Sequence, residues 1–265
     1  MHIGLVSDVA RVKHAELMKV AAALQKQVTR DAAPLWGLNA TVSAFGSLED
    51  VPIGYWPILL VEDVRSAAGV HLDKDGQPYA LIEYGPTWSL TASHECLEML
   101  VDPFGDRLVA GQSPKPRQGR VEFLVEVCDP SEDVQFSYTV NGIVVSDFYT
   151  PAFFDPVPAP GVRYSFAGRV TAPRRVLPGG YLSWHDPMTD HWWQQVWFGT
   201  KRPALRDLGV FRADDPRSLR EIVDALTPQL PRLSCAKAFP VEPSIAEAAK
   251  ARAVRMRQQI ARLTR

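Results

Sequence analysis

The sequence predicts an α+β protein, and three of its features indicate this class. Residues 13–30 place apolar side chains at helical spacing between charged ones, which predicts an amphipathic helix. A twisted mixed sheet of about four strands is expected next, from segments of β-type pattern. Residues 88–101 contain neither glycine nor proline and predict a second helix. A β-rich part and a terminal helix are expected to complete the chain.

The sheet is predicted from three segments that follow the first helix, which we expect to be the first element of the fold. Apolar and polar side chains alternate along residues 40–45, which predicts a strand. Residues 55–61 form the nearly continuous apolar stretch of a buried strand. Residues 71–84 resemble two strands joined by a Lys-Asp-Gly turn. Within this segment, His71 and Asp73 are interpreted as part of the hairpin turn.

Three regions are expected along the chain. Residues 1–150 contain the helix, the sheet and the second helix, and residues 151–226 form a β-rich extension. Residues 227–265 begin as a proline-rich linker and end in a basic amphipathic helix with a narrow apolar stripe. We expect that helix to present a solvated face, with docking of a partner as the alternative.

Local signals mark turns and a helix start in the second half of the chain. Asn141-Gly142 predicts a tight hairpin, and a second hairpin is expected around His185-Asp186-Pro187. A threonine at position 87 is expected to cap the helix over residues 88–101. Asp215, followed by proline, is expected to cap a short helix that ends at Leu226.

Composition limits the classes of partner. Among 265 residues, 29 basic side chains face 30 acidic ones, so no overall field favours nucleic acid or a membrane surface. We find no basic and apolar leader at the N-terminus and no long uncharged apolar run, which predicts neither export nor membrane insertion. The cysteines are few and widely spaced, so we expect free thiols and a cytoplasmic protein. They are Cys96, Cys128 and Cys235.

The second helix carries the residues with the clearest chemical potential. His94 and Glu98 are one turn apart and share a face, whereas Glu95 points about 100° to the side. Their neighbours are apolar almost all round the helix, which predicts that it is buried. Buried carboxylates are costly unless paired, and a divalent cation is an effective partner. We therefore expect His94 and Glu98 to bind a metal ion. The alternative is a surface helix with an ordinary His–Glu pair.

A third ligand is expected from residues 125–129. This strand-like segment offers Glu126 and Asp129 in apolar surroundings, and a catalytic zinc ion usually has three protein ligands and a water. We favour Glu126 as the ligand and Asp129 as a residue that orients a ligand or caps a turn, and the opposite assignment is the alternative. Asp102, two turns after His94, is a further orienting candidate.

These residue types predict hydrolysis by a metal-activated water. A bound metal lowers the pKa of its water, and Glu95 would accept the water proton and pass it to the leaving amine. A nearby donor would stabilise the oxyanion. The candidates for that donor are Tyr149, His185 and His191.

The motif resembles that of the zincin metallopeptidases, in the variant where glutamate replaces the second histidine of HExxH. The order of helix, strands, hairpin and second helix over residues 13–102 is also similar to the zincin core. This resemblance implies a zinc cofactor and a peptide or protein substrate. The chain departs from the family at Glu98 and has no third-histidine extension. The pattern formed by His94, Glu98 and Asp102, followed by residues 126–129, more loosely resembles that of exordium-like HExxE proteins. An inactive zincin-like structural or phage-associated module is the alternative.

Overall fold

A computed structural model describes residues 1–64 and 67–228. The first part of the chain forms a five-stranded sheet with the order β2-β1-β3-β5-β4. Four of the strands are parallel, and β4 pairs antiparallel with β5 at one edge. The strands are β1 (His2–Ser7), β2 (Thr41–Ala44), β3 (Trp56–Val61), β4 (Gly69–Lys74) and β5 (Gln77–Glu83).

The four predicted strands are present as β2 to β5. Strand β1 was not predicted, so the sheet has one strand more than expected, and the expectation of a helix as the first element was wrong. Six residues that include Gly4 give only a short pattern, and the strand is defined by its parallel neighbours β2 and β3, which lie far along the chain. A Cβ at Gly4 would lie 2.9 Å from Val51 Cγ1, so a larger residue would displace that side chain.

The two predicted helices are present. Helix α1 (His14–Lys26) continues through a π-helical turn, Gln27–Ala32, into the short helix α2 (Ala33–Trp36). Helix α3 (Trp88–Val101) has the predicted bounds and packs against β4 and β5. Thr87 makes no side-chain cap hydrogen bond, so the predicted threonine cap was wrong.

The second sheet is antiparallel throughout and has the order β12-β11-β10-β7-β6. It combines strands from both sides of residue 150, and one apolar core extends from Ile3 to Trp184. A separate hairpin turns at Asn141-Gly142, as predicted, with positive φ at both residues. The strands are β6 (Leu108–Gln112), β7 (Arg120–Leu124), β8 (Tyr138–Val140), β9 (Ile143–Val145), β10 (Tyr181–Asp186), β11 (His191–Val196) and β12 (Ala204–Val210).

Helix α4 (Leu219–Leu226) is the last described element. It begins later than predicted, because Ser218 forms a capping box with Glu221, whereas Asp215 pairs with Arg217. Strand β12 was not predicted, since it is a largely exposed edge strand without an apolar pattern.

The predicted basic helix at the C-terminus and most of its proline-rich linker lie outside the described residues. Within the described part of the chain, no helix has the length and apolar character needed to cross a membrane. The mixture of helices with two main sheets confirms the α+β class.

Candidate functional site

Helix α3 is buried on nearly all sides, as its apolar sequence predicts. Its C-terminal half faces β4, the segment after β7 and the beginning of α4, and it presents His94, Glu95 and Glu98 to them. The side chains of Glu95 and Glu98 are at most 4% exposed, whereas that of His94 is 12% exposed. His94 is therefore the member of the motif most open to solvent.

Residues after β7 bring two acidic side chains to α3. The backbone N–H of Cys128 donates to Glu98 Oε1 at 3.0 Å, and the carbonyl of Val127 accepts from Tyr149 N at 2.7 Å. Gly180 crosses so closely that a Cβ there would lie 2.5 Å from the Asp129 carbonyl oxygen. The segment is thus held from three sides, and both acidic residues predicted within it reach the site.

Asp129 lies directly beside the motif histidine. Its Oδ1 is 3.2 Å from His94 Nε2, and the same nitrogen is 3.2 Å from Glu98 Oε2. The second carboxylate oxygen of Asp129, Oδ2, has no hydrogen-bond partner among the described residues, although the side chain is buried. Burial and the neighbouring Glu98 raise the pKa of Asp129 to about 7.

Glu126 has a different environment from Asp129. Its Oε2 pairs with the guanidinium group of Arg220, and its Oε1 is buried without a hydrogen-bond partner in the described part of the chain. Burial raises the pKa of Glu126 well above its usual range, against the opposing effect of Arg220, and Glu98 and Asp129 add to the increase.

Arg220 is a member of the site that the sequence analysis missed. Its Nη1 lies 2.5 Å from Glu98 Oε2, its Nη2 lies 3.2 Å from Glu95 Oε2, and its Nε lies 3.2 Å from Asp224 Oδ2. The signal in the sequence is a single arginine beside the apolar positions of α4, where Ile222 is also buried.

The beginning of α4 is fixed against the loop that follows α3. Arg220 N donates to the Gly105 carbonyl at 3.0 Å, and Leu219 N donates to Asp106 Oδ1 at 2.8 Å. Gly105 has φ +66°, and a Cβ there would lie 2.8 Å from Arg220 Cβ. The loop and the helix therefore position the guanidinium group together.

His71 is the second residue that was missed, and its interpretation as a turn residue was wrong. It lies in β4, and the turn is formed by Asp75 and Gly76, which have positive φ. His71 Nδ1 is 3.4 Å from Glu95 Oε2. The available signal was the alternation of β4, which buries His71 on the side that faces α3.

We refer to the side chains that meet here as the charged cluster. Burial by itself would raise the pKa of Glu98, but His94 and Arg220 hold it well below its usual range. Burial lowers the pKa of His94, but Glu98 and Asp129 raise it overall to well above its usual range. The members are His71, His94, Glu95, Glu98, Glu126, Asp129 and Arg220.

Asp102 and Tyr149 border the charged cluster. The carboxylate of Asp102 accepts hydrogen bonds from the N–H groups of Asp106 and Arg107, so it organises the loop that receives α4. The Tyr149 hydroxyl is buried and has no hydrogen-bond partner among the described residues. Burial, followed by the charge of Glu126, raises the pKa of Tyr149 well above its usual range.

Two of the predicted oxyanion donors do not join the charged cluster. His185 pairs with Glu122 at 3.2 Å, and His191 pairs with Asp207 at 2.9 Å, both on the second sheet. The Cys128 thiol donates to the His94 carbonyl at 3.8 Å. Burial raises the pKa of Cys128 well above its usual range, which agrees with a neutral thiol.

No family model, curated protein or solved structure gives a significant match to this chain.

Proposed function

We propose that this protein is a metal-dependent hydrolase, and specifically a zinc peptidase, whose ion is held by His94, Glu98 and Asp129. The observation that carries the proposal is the convergence of His94 Nε2, Glu98 Oε2 and Asp129 Oδ1, with 3.2 Å from the nitrogen to each oxygen. Ligand atoms of a tetrahedral zinc site are about 3.3 Å apart, because each lies about 2.0 Å from the ion. The two distances measured from His94 Nε2 therefore suit neighbouring ligands of one zinc ion.

Two buried oxygens support a cation at this site. A buried acceptor without a donor costs about 1–3 kcal/mol, and more when it is charged. Asp129 Oδ2 and Glu126 Oε1 are such acceptors, whereas Asp129 Oδ1 faces His94 Nε2 at 3.2 Å. Arg220 supplies one positive charge to a cluster with four carboxyl groups. A divalent ion would favour the ionised forms of Asp129 and Glu126, whose pKa values burial raises.

Two contacts favour Asp129 over Glu126 as the third ligand. Asp129 is adjacent to His94, whereas Glu126 already pairs with Arg220. This choice reverses the preference drawn from the sequence. Glu126 then serves to hold Arg220, and the arginine in turn contacts Glu98 and Glu95.

Glu95 is the proposed general base. Burial raises its pKa, but Arg220 and His71 lower it overall, so the carboxylate is ionised at neutral pH and able to accept a proton. A zinc ion, when bound, would supply Lewis acidity and a water of lowered pKa. The Tyr149 hydroxyl, which lacks a partner within the described residues, is the candidate donor to the oxyanion.

The order of the elements supports a zincin-like core. Helix α1 precedes most of a mixed sheet, β4 is an antiparallel edge strand of that sheet, and α3 carries the HExxE motif beside it. On this basis we propose a peptide or protein as the substrate.

Metal analysis tests the proposed ion. Full-length protein purified without chelator is expected to contain close to one zinc ion per chain, measured by inductively coupled plasma mass spectrometry. His94→Ala should lose the ion. The matched control is His191→Ala, which removes a histidine–aspartate pair on the second sheet. A zinc content near zero in the unchanged protein contradicts the proposal.

A base substitution tests catalysis. Glu95→Gln is expected to keep the zinc and to lower the cleavage of a fluorogenic peptide library by about 10²- to 10⁴-fold, since it removes the proton acceptor. Glu122→Gln, which alters a glutamate paired with His185, is the control and should cleave normally. Equal cleavage by both variants rules out Glu95 as the base.

An inactive zincin-like structural or phage-associated module is the second candidate. The observation that favours it is Arg220, which already supplies a cation to Glu95, Glu98 and Glu126. In that case the unchanged protein has no measurable turnover on any peptide, and Glu95→Gln changes only stability.

A further inference from the structure

Arg220 occupies the centre of a second group of potential ligands, beside the proposed zinc site. The ligand atoms of His71, Glu95 and Glu98 lie within 4.8 Å of one another, and all three residues are buried. The Arg220 guanidinium group contacts each of these residues. A cation is therefore already present at this position.

Glu98 belongs to both groups. Its Oε2 lies 3.2 Å from His94 Nε2 on one side and 2.5 Å from Arg220 Nη1 on the other. Glu126 also faces both, since its Oε2 pairs with Arg220 while its ligand atoms lie within 4.8 Å of those of Glu98 and Asp129. A carboxylate shared in this way is the usual bridge between two cations in a two-metal site.

We propose that the charged cluster contains two cation positions that share Glu98, and that the Arg220 guanidinium group permanently fills one of them. The protein consequently takes a single divalent ion. Without Arg220, the position bounded by His71, Glu95, Glu98 and Glu126 binds a second divalent transition-metal ion. This inference rests on the proposed zinc site for the first ion only.

Charge and donor chemistry support the proposal of a second cation position. Arg220 is the cation that pairs with Glu95, Glu98 and Glu126, so its loss leaves three buried carboxyl groups without this positive charge. When the arginine is lost, a second divalent ion restores the balance. One imidazole and several carboxylates form a donor set suited to Zn²⁺ and Mn²⁺. The unpartnered Oε1 of Glu126 is a buried acceptor ready for such an ion.

Arg220 is also a positioning residue for the proposed base. Its Nε is fixed by Asp224 in the next turn of α4, so its Nη1 and Nη2 are directed at Glu98 and Glu95. A planar guanidinium group with several donors can hold carboxylates in this way, whereas an ammonium group has no comparable fixed geometry. The arginine thereby keeps the general base and a metal ligand at a constant separation.

Counting metal ions in variants tests the proposal. Full-length chains are dialysed against Zn²⁺ and then against metal-free buffer, and bound zinc is counted by native mass spectrometry. Arg220→Met is expected to bind two ions and the unchanged protein one. Arg206→Met is the matched control, because Arg206 donates to the Leu226 carbonyl at the end of α4 without contacting the charged cluster. It should bind one ion.

A second substitution locates the added ion. Arg220→Met combined with His71→Ala should return the count to one, whereas His71→Ala alone should leave it at one. With Mn²⁺ in place of Zn²⁺, the two ions of Arg220→Met should give the exchange-coupled electron paramagnetic resonance spectrum of a carboxylate-bridged pair. Two uncoupled Mn²⁺ signals would overturn the shared Glu98.

The outcomes separate this proposal from the proposed function. A count of one in both the unchanged protein and Arg220→Met overturns the second position and leaves the zinc site intact. A count of zero in the unchanged protein and one in Arg220→Met, lost with His71→Ala, removes the proposed function but supports the second position. If Arg220→Met fails to fold, Arg220→Gln, which removes the charge but keeps a polar side chain, should bind two ions.

Discussion

Helix α3 separates two buried polar regions, which differ in whether all of their hydrogen-bonding groups have partners. On one side, Ser93 joins a set of side chains that we call the Gln27 network. On the other side lies the charged cluster. In the Gln27 network, Gln27 Nε2 donates to Tyr138 Oη at 3.1 Å, and Ser93 Oγ donates to Gln27 Oε1 at 2.7 Å. The network comprises Gln27, Asp31, Ser93, Tyr138 and Ser146.

The two regions differ in whether their hydrogen-bonding groups are satisfied. No side-chain atom of the Gln27 network is buried without a partner, whereas Glu126 and Asp129 of the charged cluster have such atoms. A satisfied network fixes the position of a helix, whereas each buried acceptor without a partner requires an explanation, and the one we propose is a bound ion. Ser93 and His94 are adjacent in sequence, yet about 100° of helical rotation directs them to these different roles.

The largest expected effect is the difference in zinc affinity between substitutions of Asp129 and of Glu126 in the charged cluster. Asp129→Asn should lower zinc affinity by at least about 100-fold, because it removes a proposed ligand, whereas Glu126→Gln should lower it by less than about tenfold. Affinity is measured by competition with a chromophoric chelator. The reverse order would restore Glu126 as the third ligand.

Asp147 shows how a buried carboxyl group behaves when backbone groups hold it. Burial raises the pKa of Asp147 from 3.8 to about 6, although the hydrogen bond that the N–H group of Ala167 donates to the carboxylate lowers it. A raised pKa adds stability below pH 3.8 that is lost as the pH rises through about 6. Relative to Asp147→Asn, the unchanged protein should lose about 2 kcal/mol of unfolding free energy between pH 4 and pH 7.

Urea denaturation of both proteins at the two pH values provides the measurement for Asp147. The substitution is the internal control, because it keeps the shape of the side chain and removes its titration. Parallel pH profiles for the two proteins would show that the Asp147 carboxyl group titrates normally.

Zinc should stabilise the charged cluster and leave the Gln27 network unaffected. At a free zinc concentration of about 100 times the dissociation constant, the unfolding free energy should rise by about 2.7 kcal/mol. His94→Ala should abolish this increase, and Ser93→Ala should preserve it. Thermal denaturation with and without zinc gives the comparison, and an increase that survives His94→Ala would place the ion elsewhere.

The smallest effect concerns the Gln27 network itself. Ser93→Ala removes the donor to Gln27 and the acceptor for Ser146 N, so the unfolding free energy should fall by about 1–2 kcal/mol. The zinc content should remain at the level of the unchanged protein. A loss of zinc in Ser93→Ala would show that the network also positions the metal ligands.

The chemistry of α3 was predictable because it depends on local spacing. His94, Glu95 and Glu98 are ordered by the helical repeat, and the apolar neighbours predicted the observed burial. Asp129 and Glu126 were found because acidic residues in an apolar segment are conspicuous. Their different partners could not be predicted, since those partners come from other elements.

Only weak local patterns in the sequence marked His71 and Arg220, and neither pattern indicated that these residues meet the motif. They precede and follow the motif by long stretches of chain, and each is a single polar residue on an otherwise ordinary element. Strand β1 was missed for a related reason, because its identity depends on parallel pairing with distant strands.

The sequence by itself determined the α+β class, the bounds of α3, the NG hairpin and the placement of His94, Glu95 and Glu98 on one buried helix, because helical periodicity and turn chemistry are local properties. Only the tertiary structure decided that Arg220 lies among the carboxylates and that Asp129 lies beside His94. Both results arise from the docking of α4 and of the segment after β7 against α3. The charge balance of a buried site depends on every group that reaches it.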